Sequence, residues 1–425
     1  MDDRKEQDHT MHNDQMTTTR SPRRGLGRAR AATAFAVTAV LGTAGLAAIA
    51  ASPAGATHKV TQHKTLTPAQ KLAAAERTLQ GFINAAPSGV TLNEAGSSLF
   101  YPLWQEWQHP SSPLPNSPVK LNPAAGGSGK GISEAVAGTI QIGASDAFLA
   151  SAQRTGPPAM LNIPVVVSAQ AITYNIPGLA ASKHVRLSAT IINDIYNGSI
   201  TNWDNKRIKS LNPGISFPNL TIVPIRRLDS SGDTFIFTSY MWYGDKTSWN
   251  HPGPYYGPQL SYAAWPSVSG ELAESGNSNM VTGLNAHPGG IAYVGVSYLS
   301  SVNADGLGVA ALQNGTGNFE LPDAATISNE IASFSHFPTT GAINLVYSKV
   351  KAARFGYPIV NFEYAIVQQK QPNSTQEAAI KAELAWGMDP KGGAQTGFLN
   401  PIDFKAMPLN GILGAISLLK LMTSS

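Results

Sequence analysis

The stretch IVPIRRLDSSGDTFIFTSYM (222–241) decides the fold class. Its first part is apolar and β-branched up to Arg226-Arg227, its last part has a helical pattern from about Thr234, and Asp229-Ser230-Ser231-Gly232-Asp233 joins them. A strand that passes through a tight Ser/Gly loop into a helix is the building unit of α/β proteins. Outward from it the same alternation recurs. β-rich runs (Ile163–Tyr174, Leu220–Ile225, Gly290–Val296) alternate with helix-like stretches (Tyr101–Gln108, Ile132–Ala137, Thr190–Tyr196, Phe235–Tyr243, Gln376–Gly387). No repeat of solenoid period is present.

Two more loops share the chemistry of the first. Ala95-Gly96-Ser97-Ser98-Leu99 precedes the helix near Leu103-Trp104, and Gly126-Gly127-Ser128-Gly129-Lys130-Gly131 precedes Ile132–Ala137. A helix N-terminus carries unpaired N–H groups and a partial positive charge. Glycine lets an anion approach that backbone, and serine adds a hydroxyl donor. Taken singly, each loop reads equally as an ordinary N-cap; together they are candidates for surrounding one oxyanion. A nucleotide loop of the Walker type is excluded, because Gly131 follows Lys130 and Ala124 stands where its first glycine belongs.

In this order and spacing the motifs are recognisable. AGSSLFYPLWQEW (95–107), GSGKGISEAVAGTIQIGASDAFL (127–149), IPVVVSAQAITYNIPGL (163–179), IINDIYNGSITNWDNKRIKSLNPG (191–214), the 222–241 stretch and PGGIAYVGVSYL (288–299) resemble the phosphate-binding proteins of phosphate ABC transporters. The likeness covers about residues 91–300 and continues more loosely through YPIVNFEYAIV (357–367). It implies a class II periplasmic-binding-protein fold, with two α/β lobes joined by a hinge and the ligand cleft between them. Lobe 1 would combine 76–169 with 336–425, and lobe 2 would span 170–335. It also implies a monomer that delivers inorganic phosphate to the permease subunits of an importer, with neither a catalytic group nor a cofactor.

The resemblance assigns the ligands one by one. Ser98 gives a hydroxyl and a backbone N–H, Leu99 a further N–H, and Ser128 the hydroxyl of the second loop. Asp146, in GASDA, matches the phosphate-contacting aspartate. Arg227 matches the ligand arginine and Asp229 the carboxylate that orients it, while Ser231, Gly232 and Asp233 match the third loop. Asp233 departs from the pattern, since threonine is common there. Its N–H remains available, and its carboxylate is expected to cap the helix or point away from an anion. Lys130 stands where glycine is frequent and reads as an exposed lysine.

Asp146 carries the sharpest chemistry. An ionised carboxylate only accepts hydrogen bonds, so it suits protonated phosphate and rejects sulfate. Sites built around one such bond discriminate by about 10⁴-fold. Read without the resemblance, Asp146 is a helix-capping residue after Gly143-Ala144-Ser145. Arg227 offers a planar fork for two oxygens, and its pairing with Asp229 would leave neutral donors to hold most of the anion's charge.

Composition bounds the remaining choices. A chain of 425 residues exceeds one compact core, and 13% charged residues is about half the usual share. The net charge is +4, with seven Lys/Arg against five Asp/Glu in residues 1–56, so the rest carries +2 and shows no nucleic-acid footprint. There is no cysteine, hence no disulfide, thiolate metal site or lipid-anchor cysteine. The nine histidines have no metal-binding spacing, and no metal is assigned. Residues 1–56 read as a signal peptide: arginines up to Arg30, an apolar run Ala31–Ala51, and Ala54-Gly55-Ala56 as the cleavage site. Export to the periplasm or cell envelope follows; the alternative is an uncleaved anchor. Residues 57–75 read as a linker leading into a helix. The aromatic stretch Trp249–Trp265 reads as an ordered loop on the second lobe. Two rival functions remain: an exported phosphate-ester hydrolase, for which no base or metal cluster is visible, and a binder of another oxyanion.

Overall fold

The computed structural model describes residues 66–249, 268–334, 336–346 and 353–425. The signal-peptide reading and most of the aromatic stretch Trp249–Trp265 lie outside them. The chain from Lys64 onward is one compact unit. No described helix is long and apolar enough to cross a membrane.

In chain order the described helices are α1 (Pro68–Ile83), α2 (Tyr101–Trp107), α3 (Ser128–Ala137), α4 (Ser151–Thr155), α5 (Ala189–Tyr196), α6 (Lys206–Leu211), α7 (Gly232–Trp249), α8 (Gly276–Ala286), α9 (Leu299–Ala304), α10 (Ala324–Ala332), α11 (Ser374–Met388), α12 (Thr396–Leu399) and α13 (Leu409–Leu421). The strands are β1 (Thr91–Gly96), β2 (Lys120–Ala125), β3 (Ile142–Ser145), β4 (Met160–Tyr174), β5 (Arg186–Leu187), β6 (Val223–Arg227), β7 (Leu272–Glu274), β8 (Gly290–Gly295), β9 (Gly308–Val309), β10 (Ala311–Gln313), β11 (Phe319–Glu320), β12 (Val360–Gln368), β13 (Lys370–Gln371) and β14 (Thr423–Ser424).

The main sheet runs β2-β1-β3-β12-β4-β8-β6-β7, with β9 beside β4. One half holds the parallel strands β2, β1 and β3, and the other holds β8, β6 and β7, again parallel. Between them β12 and β4 run antiparallel to their neighbours. All fifteen residues of β4 are buried, which explains its largely apolar sequence. Residues 160–169 of β4 pair with β12, and from Gln170 onward the strand pairs with β8. One strand therefore stitches the two α/β halves together, and this is the two-lobed periplasmic-binding fold.

The first helix begins at Pro68, inside the stretch read as linker. Thr67 Oγ1 accepts the Gln70 N–H at 3.3 Å, and Gln70 Oε1 accepts the Thr67 N–H at 2.9 Å. This capping box with proline at the first helical position was legible as Thr-Pro-Ala-Gln. Phe100, Trp104, Trp107 and Trp386 form a cluster of tilted and edge-to-face rings that packs α2 against α11, with ring centres 4.8–5.6 Å apart along the chain of contacts.

Candidate functional site

Each candidate loop leaves the C-terminal end of a parallel strand. Ser97-Ser98-Leu99 follows β1, Gly126-Gly127 follows β2 and leads into α3, and Asp146 follows β3. On the other half, Asp229–Ser231 follows β6 and leads into α7, while Ser275 connects β7 to α8. In open α/β sheets this edge is where ligands bind. Here the edges of both halves face each other. The Gly129 N–H donates to the Ser230 carbonyl at 2.9 Å, and Ser297 Oγ donates to the Leu99 carbonyl at 2.8 Å.

Asp146 is buried between the first two loops and the third. Ser128 Oγ donates to its Oδ2 at 3.1 Å and accepts its N–H at 3.1 Å, and Ser97 Oγ donates to its Oδ1. Gly232 lies directly against this pair. A Cβ there would sit 2.5 Å from Ser128 Oγ and 2.7 Å from Asp146 Oδ2, so only glycine permits the approach. Asn361 Nδ2 donates to the Asp146 carbonyl at 2.6 Å and fixes the turn.

Arg227, fully buried, ends β6. Its Nε donates to Asp229 Oδ1 at 2.7 Å and its Nη2 to Asp229 Oδ2, while Nη1 donates to Asp233 Oδ2. The Arg227 N–H donates to Tyr293 Oη at 2.9 Å, which anchors the strand end. Burial works against the arginine's charge, but Asp233 and Asp229 outweigh it and hold the guanidinium above its ordinary pKa. Arg226, one residue earlier on the pleat, turns to the opposite face and pairs with Glu271.

The third loop corrects the expectation for Asp233. Its side chain points inward, not away. Beyond Arg227, Asp233 Oδ2 accepts from Asn277 Nδ2 at 2.8 Å, and Oδ1 accepts from Gln170 Nε2 at 3.1 Å. Ser231 Oγ lies 3.5 Å from Oδ2 and accepts the Asp233 N–H at 3.1 Å. Helix α7 begins at Gly232, earlier than Thr234, so Asp233 occupies its first turn and its carboxylate gains from the helix dipole. The Arg227 fork is held by the Asp229 carboxylate. Asp229 takes two of its nitrogens, and only Nη1 turns toward the interior. Helix α3 likewise starts at Ser128, so this serine is the first helical residue.

Asn277 joins the halves and was missed in the sequence. Its N–H and Nδ2 donate to Ser98 Oγ at 3.1 and 3.0 Å, and its Oδ1 accepts the Gly295 N–H at 2.8 Å. The signal was present as Glu274-Ser275-Gly276-Asn277, a fourth small-residue loop entering a helix. Ser97, Gln170 and Glu363 were missed too. Glu363 lies in β12 at a bulge between Glu363 and Tyr364, accepts Ser168 Oγ at 2.5 Å, and is fully buried. Burial, then the charge of Asp146, raises its pKa well above the usual range. A charged residue in the apolar run 357–367 could have flagged it.

Ser98, Ser128, Asp146, Arg227, Ser231, Gly232 and Asp233 are thus all buried where the strand edges meet, with Asp229 at their margin. Leu99 is buried beside them, and its side chain packs on Gly295. Lys130 is exposed and sits 4.0 Å from Glu134, one turn on.

The comparisons with known proteins agree with this architecture. Residues 32–388 match the model of the PBP superfamily domain. The phosphate-binding protein PstS of Methanocaldococcus jannaschii is 30% identical over 325 residues, covering 71% of this chain and 79% of that one. The phosphate-binding protein PstS 3 of Mycobacterium tuberculosis is 32% identical over 302 residues, covering 67% and 76%. Among solved structures, the periplasmic phosphate-binding protein PfluDING with bound phosphate has a TM-score of 0.60 at 19% identity, over 76% of this chain and 92% of that one. At that identity the likeness is one of fold.

Proposed function

This chain belongs to the PBP superfamily and, within it, to the phosphate-binding proteins, and from that premise we propose that it is an exported solute-binding protein that encloses inorganic phosphate between its two lobes and delivers it to an ABC importer. One observation supports this above the others. Loops from five parallel strands, three on one half of the sheet and two on the other, converge on a single buried point supplied with hydroxyls, amides and one guanidinium. Such donors, fixed in advance and shielded from water, stabilise an oxyanion strongly because little reorganisation is needed on binding.

The proposed ligand set is Ser98, Leu99, Ser128, Asp146, Arg227, Ser231, Gly232 and Asp233, with Asp229 orienting Arg227. Asp146 accepts a hydrogen bond from the protonated phosphate oxygen and so discriminates against sulfate. The lobes divide at the point where β4 changes partner, giving 76–169 with 336–425 against 170–335. Closure about β4 and β12 is then the signal read by the permease. Relatives carry the names of binding proteins, and the proposed role is binding without turnover by a monomer.

Calorimetry with phosphate, arsenate and sulfate tests the reading. The expected result is tight binding of phosphate, competition by arsenate and little response to sulfate. Equal binding of sulfate, or no heat with phosphate at any pH between about 5 and about 8, overturns it. Hydrolysis of a chromogenic phosphate ester that is lost in Ser128→Ala would favour the hydrolase instead.

A further inference from the structure

The carboxylate of Asp233 sits where an anion would. It gathers Arg227 Nη1, Asn277 Nδ2 at 2.8 Å and Gln170 Nε2 at 3.1 Å, with Ser231 Oγ at 3.5 Å, and none of its surface reaches solvent. These are the inward-facing donors of the second half of the sheet. They cannot serve an ionised Asp233 and an incoming oxyanion together. Charge makes the conflict sharper. Among the described residues Arg227 is the one cation facing Asp233, and Asp229 already pairs with it. Asp146 from the loop after β3 and Glu363 from β12 face it as further carboxyl groups, and Tyr293 and Tyr298 as phenols.

We propose that Asp233 is the cage's own anion, and that phosphate capture takes one proton from solvent onto the Asp233 carboxyl, releasing Arg227 Nη1 and Asn277 Nδ2 to the phosphate oxygens. This rests on the phosphate reading above and adds a proton to it. The neutral acid no longer repels the ligand, and its O–H becomes a donor toward it. Asp146 keeps its separate task of accepting a hydrogen bond from the protonated phosphate oxygen. The environment favours the step, because burial and the charge of Asp146 push the Asp233 carboxyl up to about 6 before any phosphate arrives. A bound dianion would push it further.

Sign and size follow. Below about pH 6 the acid is already neutral and capture needs no added proton. Above it each capture consumes one, so affinity falls by up to about tenfold per pH unit. Phosphate's own ionisation also varies with pH, so the measurement compares Asp233→Asn with the wild type, in which that contribution is common. Calorimetry with inorganic phosphate in two buffers of different ionisation enthalpy reads both affinity and proton count. At about pH 8 the wild type is expected to take up close to one proton more per phosphate than Asp233→Asn. The variant is expected to bind about tenfold tighter or more, and the gap should close toward about pH 5.

Equal affinity and equal proton count in the two proteins at about pH 8 would overturn the proposal while leaving the phosphate reading intact. Absence of phosphate binding in both at every pH would overturn the two together. Should Asp233→Asn fail to fold, Asp233→Thr replaces it. The wild-type proton count alone also decides against the proposal if it is zero at about pH 8.

Discussion

In the proposed phosphate site, Asp146 and Arg227 divide the work of recognition at the level of single groups. Asp146 is held by two serine hydroxyls, from Ser97 and Ser128, and the remaining acceptor capacity of its oxygens suits a protonated ligand. Asp146→Asn exchanges an acceptor for a donor of equal shape. The phosphate-to-sulfate affinity ratio, measured by competition, is expected to fall by at least about tenfold. Arg227→Ala acts differently, since it removes the cation and leaves the buried Asp233 and the half-buried Asp229 without it. Phosphate affinity is expected to drop about 100-fold, and unfolding free energy by about 3 kcal/mol at neutral pH; retained affinity would show that Arg227 does not face the ligand. Glu383 on α11 shows the same physics away from the site. It is fully buried, hydrogen-bonded by Ser117, and burial pushes its carboxyl up to about 8. The folded state then binds a proton that the unfolded state has released. Its contribution is therefore present below the ordinary value of 4.5 and is lost as pH rises toward about 8. Thermal unfolding followed from about pH 5 to about pH 8 should show stability falling, and Glu383→Gln should flatten that slope by on the order of 2 kcal/mol.

Elements position these groups through unusually close backbone packing. Helix α3 brings Ser128 to the sheet edge because Gly131 lies flat against it. A Cβ at Gly131 would clash with the Ala95 carbonyl and stand 2.8 Å from the Ala144 carbonyl oxygen. These carbonyls belong to β1 and β3, so the helix cannot be lifted without displacing the first loop and the turn that carries Asp146. Gly131→Ala is expected to destabilise the fold by about 2 kcal/mol, as overpacking does, and to weaken phosphate binding in parallel. Loss of stability with unchanged affinity would separate the helix from the site. The Thr67–Gln70 box at the start of α1 makes a contrast, since it caps a helix that packs on α11 and α13 and leads into none of the ligand loops directly. Thr67→Ala should cost about 1 kcal/mol by denaturant unfolding and leave phosphate affinity unchanged.

At the scale of the whole molecule, β4 and β12 are the mechanical link. Hydrogen bonds that join ligands of one half to donors of the other include Ser98 with Asn277, Gly129 with Ser230, and Leu99 with Ser297. A ligand that bridges the halves adds its binding energy to closure. Saturating phosphate at about a thousand times its dissociation constant should therefore raise stability by about 4 kcal/mol. The radius of gyration, followed by solution scattering, should contract on adding phosphate and not on adding sulfate. Asn277→Ala removes the side-chain hydrogen bond to Ser98, while its backbone N–H keeps the other, and one donor to Asp233, and is expected to weaken the contraction. An unchanged scattering profile in all cases would exclude hinge closure as the transport signal.

Much of this was legible before any coordinate. Alternating β-branched and helical stretches fix an α/β fold through local propensity and periodicity, and Ser/Gly loops before helices mark donor-rich turns, because both signals lie within a few neighbouring residues. The pairing of Arg227 with Asp229 is readable for the same reason, being two residues apart. The inward turn of Asp233 is not, because its direction is set by Asn277 and Gln170, 44 and 63 positions away. Nor is the meeting of Asp146 with Glu363 across the sheet, fixed by a bulge in β12. Local sequence determines which groups are available and where each strand hands over to a helix. Only packing between distant segments decides which charges are forced together out of water, and that is where the cage acquires its own anion.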